Sequence, residues 1–134
     1  MNDFTIAVDF DGTLIQDVGF GKLGSGDMVP NLELIKQLIE AKAVGAKIIL
    51  WTCRENHDER CLLDQAVDLC AQHGLTFDAV NENIQPNDYE WEPRKVFADL
   101  YIDDRATIPE MFNETAVFNY ADYMLDKYIE ENRK

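Results

Sequence analysis

Four short apolar runs, separated by helical stretches, limit the possible folds of this chain more than any other feature of its sequence. The runs are rich in β-branched and aromatic residues and are predicted to be strands at 4–10, 46–52, 76–80 and 98–104. Helices are predicted at 30–45, 58–74 and 119–132, with a short additional strand at 115–119. Strands that alternate with helices of this length form βαβ units around a parallel sheet. We therefore expect an α/β fold, a Rossmann-like open parallel sheet with helices on both faces.

Length and charge restrict the class of protein. A chain of 134 residues with 46% hydrophobic content can bury one core, and without repeats, low-complexity tracts or linkers it is predicted to form a single domain over 1–134. Asp and Glu number 26 against 12 Lys and Arg, which gives a formal charge of −14. A surface this acidic disfavours binding to nucleic acid phosphates or to anionic lipid. We expect neither a nucleic acid nor a membrane partner.

The cysteines and the amino-terminal sequence predict a location in the cell. Cys53, Cys61 and Cys70 are odd in number and form no CxxC pair, which is typical of a reduced intracellular protein. Cys61 and Cys70 fall in an amphipathic stretch, where packing in the core is expected. No basic and apolar leader precedes the first strand, and no apolar run approaches membrane-spanning length. The predicted location is cytoplasmic.

Acidic residues stand in pairs where two of the predicted strands end. Asp9 and Asp11 close the first strand, and Asp103 and Asp104 close the fourth. The carboxyl ends of parallel strands lie along one edge of the sheet, where open α/β sheets bind ligands. Carboxylates gathered there repel one another unless a cation lies among them, and a cluster without His or Cys suits Mg²⁺ better than Zn²⁺. The sequence therefore predicts a magnesium site at this edge.

Three motifs at the strand ends resemble the haloacid dehalogenase-like superfamily. They are DFDGT at 9–13, ILWT at 49–52 and YIDD at 101–104, with Lys95 upstream of the last one. They occur in the order of the family and span about three quarters of the chain.

The small capless hydrolases of this superfamily, found in bacteria and phages, are more closely similar. Their ILWT-x-R, VN-x-N and K…YIDD stretches are matched at 49–54, 80–83 and 95–104. This resemblance implies a capless hydrolase core and a Mg²⁺-dependent phosphatase that forms an aspartyl-phosphate.

The resemblance also implies a role for each acid. Asp9 would be the nucleophile that attacks the phosphoryl group. Asp11 would protonate the leaving oxygen and then deprotonate the water that hydrolyses the intermediate. Mg²⁺ would be held by the Asp9 side chain, the Asp11 backbone carbonyl and waters. Asp104 would be a direct ligand, and Asp103 would bind directly or through one water.

Other residues of the same motifs would bind the phosphate. Thr52 and the nearby residues Cys53 and Arg54, through backbone N–H groups, would contact the phosphoryl oxygens. Gly12 would let the chain turn sharply beneath them, and Thr13 would hydrogen-bond the carboxylate of the nucleophile.

The cation that would stabilise the transferred phosphate is left open between two residues. Lys95 matches the family lysine, but Asp103 follows it by only eight positions. A five-residue strand rises roughly 16 Å, which would leave Lys95 at the far end of the sheet unless the preceding segment holds it near the carboxyl edge. The short spacing is shared by the small capless relatives, which favours Lys95. Arg54 is the alternative, although a surface or substrate-contacting position is expected for it.

No segment of the chain is long enough for the cap domain that most superfamily members carry. Residues 14–29 can form only a glycine-rich flap, and residues 55–94 are occupied by one helix, one strand and a loop. Capless members act on large phosphorylated substrates or close the site with a neighbouring subunit. Since the chain is acidic, we expect a small phosphorylated substrate, covered by the flap or by the flap and a second subunit of a homo-oligomer.

Two other classes of function stay open at this point. A receiver-type signalling domain also uses an acidic cluster, Mg²⁺, Thr and Lys on a parallel sheet, but carries its acidic pair on the first strand and the accepting Asp on a central one. The DFDGT motif and the second acidic pair on the fourth strand disfavour it. A catalytically inactive binding module on the same scaffold is disfavoured because the acids of both pairs and the phosphate-binding threonine are all present: Asp9, Asp11, Thr52, Asp103 and Asp104.

Overall fold

A computed structural model describes residues 4–16, 28–86, 91–106 and 120–133 of the chain. In chain order the elements are β1 (Thr5–Val8), α1 (Leu32–Ala43), β2 (Lys47–Leu50), β3 (Asn56–His57), β4 (Arg60–Cys61), α2 (Leu62–Gln72), β5 (Ala79–Val80), β6 (Leu100–Ile102) and α3 (Tyr120–Asn132). The predicted strand at 115–119 and most of the predicted flap at 14–29 lie outside the described residues.

Four of the strands form one parallel sheet in the order β5–β2–β1–β6. β1 lies in the middle, where Val8 is opposite Leu50 of β2 on one side and Ile102 of β6 on the other. If these four strands are numbered by their order in the chain, their order across the sheet is third, second, first and fourth. This is the strand order of the first half of a Rossmann-like sheet. The predicted α/β fold with a parallel sheet is confirmed.

Apolar side chains on both faces explain why such short segments form the central strands. Successive residues of a strand point to opposite faces of the sheet. Ile6 and Val8 are fully buried in the main core, whereas Ala7 between them belongs to a second, smaller buried cluster. A strand buried on both faces needs a nearly continuous apolar run, which is the pattern that predicted it.

The three helices of the described residues lie on one face of the sheet, so the expectation of helices on both faces is corrected for this part of the chain. Buried residues from all three helices share the main core with one face of β1; they include Leu38, Ala66 and Leu125. The opposite face is covered by the segment that links β5 to β6, through Val96 and Ala98.

The handedness of the connections explains this arrangement. Right-handed connections from β1 to β2 and from β2 to β5 run in the same direction and place α1 and α2 on one face. The return past β1 to β6 runs the other way, so its connection crosses the opposite face. That connection has no helix in its described residues, 81–86 and 91–99. No helix in the described ranges is long and apolar enough to cross a membrane.

A small antiparallel hairpin of β3 and β4 precedes α2 and corrects its predicted start. The side-chain oxygen of Asn56 accepts two backbone N–H groups from the first turn of the helix, both at 3.1 Å, so the hairpin caps the helix. The helix therefore begins at Leu62 and not at 58. Of the two cysteines expected in the core, Cys70 is buried but Cys61, at the end of the hairpin, is exposed.

Candidate active site

The candidate active site lies at the carboxyl edge of the sheet, where the strand order reverses. β2 and β5 lie on one side of β1, whereas β6 pairs with its other side. Open α/β sheets bind ligands in the crevice outside the carboxyl ends of the strands, at such a point. The N–H of Asp9 donates to the carbonyl of Ile102 at 2.9 Å, which continues the pairing of the two strands to this edge.

Three of the four predicted acids form a cluster at the crevice. Asp9, Asp103 and Asp104 each offer one carboxylate oxygen, and these oxygens lie within 4.8 Å of one another. Burial, followed by the charges of Asp103 and Asp104, raises the pKa of Asp9 from 3.8 to about 7. Negative charges this close favour a proton or a cation among them. Because the donors are all carboxylate oxygens, the cluster fits a hard divalent ion such as Mg²⁺.

Thr13 ties the loop after β1 to this cluster. Its hydroxyl donates to Asp9 Oδ2 at 3.3 Å, the hydrogen bond expected from the sequence, and accepts the N–H of Asp104 at 3.1 Å. The side-chain amide of Asn31, which also caps α1, donates to the Thr13 carbonyl at 3.1 Å. Gly12 has a φ of +83°, and a Cβ at this position would collide with the carboxylate of Asp104. Only glycine lets the turn pass so close to the acids.

The fourth acid, Asp11, is held by a buried arginine. Arg54 donates from Nε to Asp11 Oδ2 at 2.9 Å and from Nη2 to Asp11 Oδ1 at 2.8 Å. Its third nitrogen, Nη1, donates to the carbonyl of Leu62 at 3.2 Å. The guanidinium also lies 4.7 Å from the ring centre of Phe10. The side chain of Asp11 is therefore paired with Arg54 and takes no part in the three-acid cluster.

Arg54 is 1% exposed, which contradicts the surface position, one of the two positions expected for it. Arginine is almost never fully buried unless it is paired, and here Asp11 and the Leu62 carbonyl supply the partners. One signal in the sequence could have revealed the pair. β1 and β2 are neighbours in register, so the loops that follow them lie side by side, and these loops carry opposite charges at Asp11 and Arg54.

Thr52 is positioned by Asn81, for which the sequence predicted no role. The N–H of Thr52 donates to Asn81 Oδ1 at 2.8 Å, and Asn81 itself has a φ of +54°. The Thr52 hydroxyl accepts the N–H of Arg54 at 3.1 Å. Within the described residues the hydroxyl proton has no acceptor, so it can donate to a ligand. Cys53, between the two, is exposed and has a free thiol.

Lys95 lies against an aromatic ring. Its Nζ is 4.8 Å from the ring centre of Tyr101, in the middle of β6, and it forms no ion pair in the part of the chain that the structure describes. The Tyr101 hydroxyl donates to the Val96 carbonyl at 2.8 Å and accepts the N–H of Ala98 at 3.1 Å, which fixes the crossing segment on the sheet. Neither residue considered for the phosphate-stabilising cation therefore contacts the acidic cluster.

Comparison with known proteins gives one informative match. No family model matches the chain, and no curated protein matches it. Among solved structures, a conserved protein coded by a locus from Bacteroides thetaiotaomicron is similar, with a TM-score of 0.63 and 32% sequence identity. The match covers 91% of this chain and 98% of that protein, and the description of that protein states no activity.

Proposed function

This chain belongs to the same family as the conserved Bacteroides thetaiotaomicron protein, and we propose that it is a Mg²⁺-dependent phosphomonoester hydrolase of the capless haloacid dehalogenase-like type. One observation carries the proposal: three carboxylates converge at the crevice, while a fourth, two residues from the first, is held separately. A metal site needs the first group, and proton transfer needs a carboxyl group that does not bind the metal.

The acidic residues at the crevice fit a divalent cation. Asp9, Asp103 and Asp104 would hold it, together with the backbone carbonyl of Asp11 that the family resemblance implies. When bound, Mg²⁺ would neutralise these carboxylates and part of the negative charge on the phosphoryl group.

The residues of the chain would then divide the chemistry between them. An oxygen of Asp9 attacks phosphorus, and the bond from phosphorus to the leaving oxygen breaks with its electron pair on that oxygen. Asp11 gives its proton to this oxygen, which leaves as an alcohol. Asp11 then takes a proton from water as the water oxygen attacks the same phosphorus. The phosphorus–oxygen bond to Asp9 breaks, inorganic phosphate leaves, and both carboxyl groups return to their starting states.

Two residues would contact the phosphoryl oxygens. The hydroxyl proton of Thr52, which has no acceptor among the described residues, can donate to one of them. Lys95 would supply the positive charge. It can leave the ring of Tyr101 at little cost, because a cation–π contact at an exposed position is worth only about 0.5–1 kcal/mol. Cys53 would contribute its backbone N–H.

The substrate would be a small phosphomonoester. With a formal charge of −14, the protein would repel a polynucleotide. The three cysteines are free thiols, which supports the cytoplasmic location proposed from the sequence. A second subunit over the crevice is part of this proposal, since no cap domain is expected in the chain.

The strand order disfavours the receiver alternative. Receiver domains have the order second, first, third, whereas here the third main strand, β5, lies beyond β2 and does not touch β1. The assay that follows distinguishes an inactive binding module from a phosphatase.

Steady-state hydrolysis of p-nitrophenyl phosphate tests the proposal. We expect continuous release of p-nitrophenol that requires Mg²⁺ and is abolished by Asp9→Asn, while Asp68→Asn, at an exposed position on α2, leaves the rate unchanged. Release of one p-nitrophenol per protein molecule, after which release stops, would identify a phospho-accepting domain. No release from folded, Mg²⁺-binding protein would identify a binding module.

A further inference from the structure

We propose that Arg54 is the positioning residue for Asp11: it fixes the carboxyl group that transfers the proton and keeps it away from the metal. This inference rests on the proposed phosphatase function, because it concerns a step of that reaction. It replaces the phosphate-binding role that the sequence suggested for Arg54.

The geometry of the pair fixes the direction of the Asp11 carboxyl group. Nε and Nη2 of Arg54 donate to different oxygens of Asp11, at 2.9 and 2.8 Å. Two parallel bonds from a planar guanidinium fix both the position and the plane of a carboxylate. Each oxygen has two lone pairs and the arginine occupies one of each, so the others stay available for the transferred proton.

Arg54 is itself rigid. Its Nη1 is bonded to the Leu62 carbonyl at the start of α2, its guanidinium lies 4.7 Å from the centre of the Phe10 ring, and only 1% of the residue is exposed. Each nitrogen of Arg54 donates one hydrogen bond to the protein, which leaves one N–H on Nη1 and one on Nη2, and because only 1% of the residue is exposed these two have little access to a phosphate. These contacts favour a role for Arg54 in holding Asp11 in place and disfavour direct binding of the substrate.

The pair also explains how two carboxylates so close in sequence have different tasks. Asp9 faces Asp103 and Asp104, whereas the Asp11 side chain faces Arg54. Without the arginine, the Asp11 side chain could rotate towards the cation as a fourth ligand. A carboxylate bound to the metal would be unable to carry the proton for the leaving group.

The proposal is tested by how strongly the reaction depends on the leaving group. We expect Arg54→Lys, which keeps the charge but loses the two parallel bonds, to lower kcat/KM for phenyl phosphate about 100-fold. For p-nitrophenyl phosphate, whose leaving group needs little help from an acid, we expect a loss of less than about 10-fold. Arg133→Lys, the same substitution at an exposed ion pair with Glu40, should change neither value. Equal losses for the two esters, or no loss, would overturn the proposal.

A double variant keeps the test valid if Arg54→Lys does not fold. Asp11→Asn combined with Arg54→Met replaces both charged partners by neutral groups, which is less disruptive than leaving one of them unpaired. If Arg54 acts through Asp11, this double variant has the same kcat/KM for both esters as Asp11→Asn alone, within about threefold. A further loss of 10-fold or more would mean that Arg54 contacts the phosphate directly. If the wild-type protein hydrolyses neither ester with Mg²⁺, the proposed function falls, and this inference falls with it.

Discussion

Replacing Gly12 by alanine should disable the cation site through a single methyl group. A Cβ at Gly12 would lie 2.8 Å from Cγ of Asp104 and closer still to one of its oxygens. The Asp104 carboxylate must therefore move away, and with it one of the three oxygen donors of the cluster. The backbone adds a cost of its own: at a φ of +83°, a residue with a side chain costs about 1–2 kcal/mol.

Gly74→Ala is the matched control. Gly74 has a φ of +87°, and a Cβ there would meet only Cδ1 of Ile39, at an ordinary contact distance of 3.5 Å. The backbone conformation should cost each variant about 1–2 kcal/mol of unfolding free energy, roughly 4–8 °C in Tm for a chain of this length. Because only Gly12→Ala also displaces Asp104, comparing the two variants separates the effect of that displacement from the cost of the backbone conformation.

Thermal unfolding with and without Mg²⁺ measures the difference. At about 100 times its Kd, an ion stabilises the folded protein by about 2.7 kcal/mol, or about 10 °C. We expect this gain for the wild-type protein and for Gly74→Ala, and less than a third of it for Gly12→Ala at the same concentration. An equal gain for all three proteins would refute the assignment of Asp104 as a ligand. Loss of the gain in Gly74→Ala would show that the Mg²⁺ response reports general stability and not the cluster.

Three further predictions concern the other groups of the site. Without Mg²⁺, the metal-free wild-type protein should lose stability relative to Asp9→Asn as the pH rises from about 4 to about 7. In this range folded Asp9 binds a proton that the unfolded chain has released, so the free energy of unfolding falls as the pH rises. Urea unfolding of the two proteins measures this, and parallel curves of unfolding free energy against pH would contradict the raised pKa. Arg54→Met should lower the unfolding free energy by about 3–5 kcal/mol, because it leaves the Asp11 carboxylate unpaired. A double-mutant cycle with Asp11→Asn should give a coupling of about 1–3 kcal/mol, and less than 0.5 kcal/mol would refute the ion pair. Lys95→Met should lower kcat/KM for p-nitrophenyl phosphate about 100-fold, and an unchanged value would leave Lys95 as a surface cation on Tyr101.

Much of the site could be predicted because it depends on local patterns and on one rule of topology. Apolar β-branched runs identify the central strands, and the carboxyl ends of parallel strands share an edge. These two facts are enough to bring Asp9 together with Asp103 and Asp104, although 94 positions separate Asp9 from Asp103. The bond from Thr13 to Asp9 is equally local, since it closes a tight turn.

The features that the sequence did not predict depend on contacts between distant segments. Arginine is usually exposed, and only its pairing with Asp11, 43 residues away, makes the burial of Arg54 favourable. The hairpin at 56–61 is polar and has strands of two residues, so no alternation of apolar residues marks it. The helix-free crossing over the second face follows from connection handedness and from bonds such as that of Tyr101 to Val96, which no periodic pattern encodes.

A phosphorylated intermediate on Asp9 is the central claim, and one measurement tests it most directly. Protein mixed with Mg²⁺ and p-nitrophenyl phosphate is quenched in acid during steady turnover, digested, and analysed by mass spectrometry. We predict one phosphoryl group on the peptide that contains Asp9, removed by hydroxylamine and absent from Asp9→Asn. A phosphoryl group on Asp103 or Asp104, or turnover with no phosphorylated peptide in repeated rapid quenches, would contradict the account.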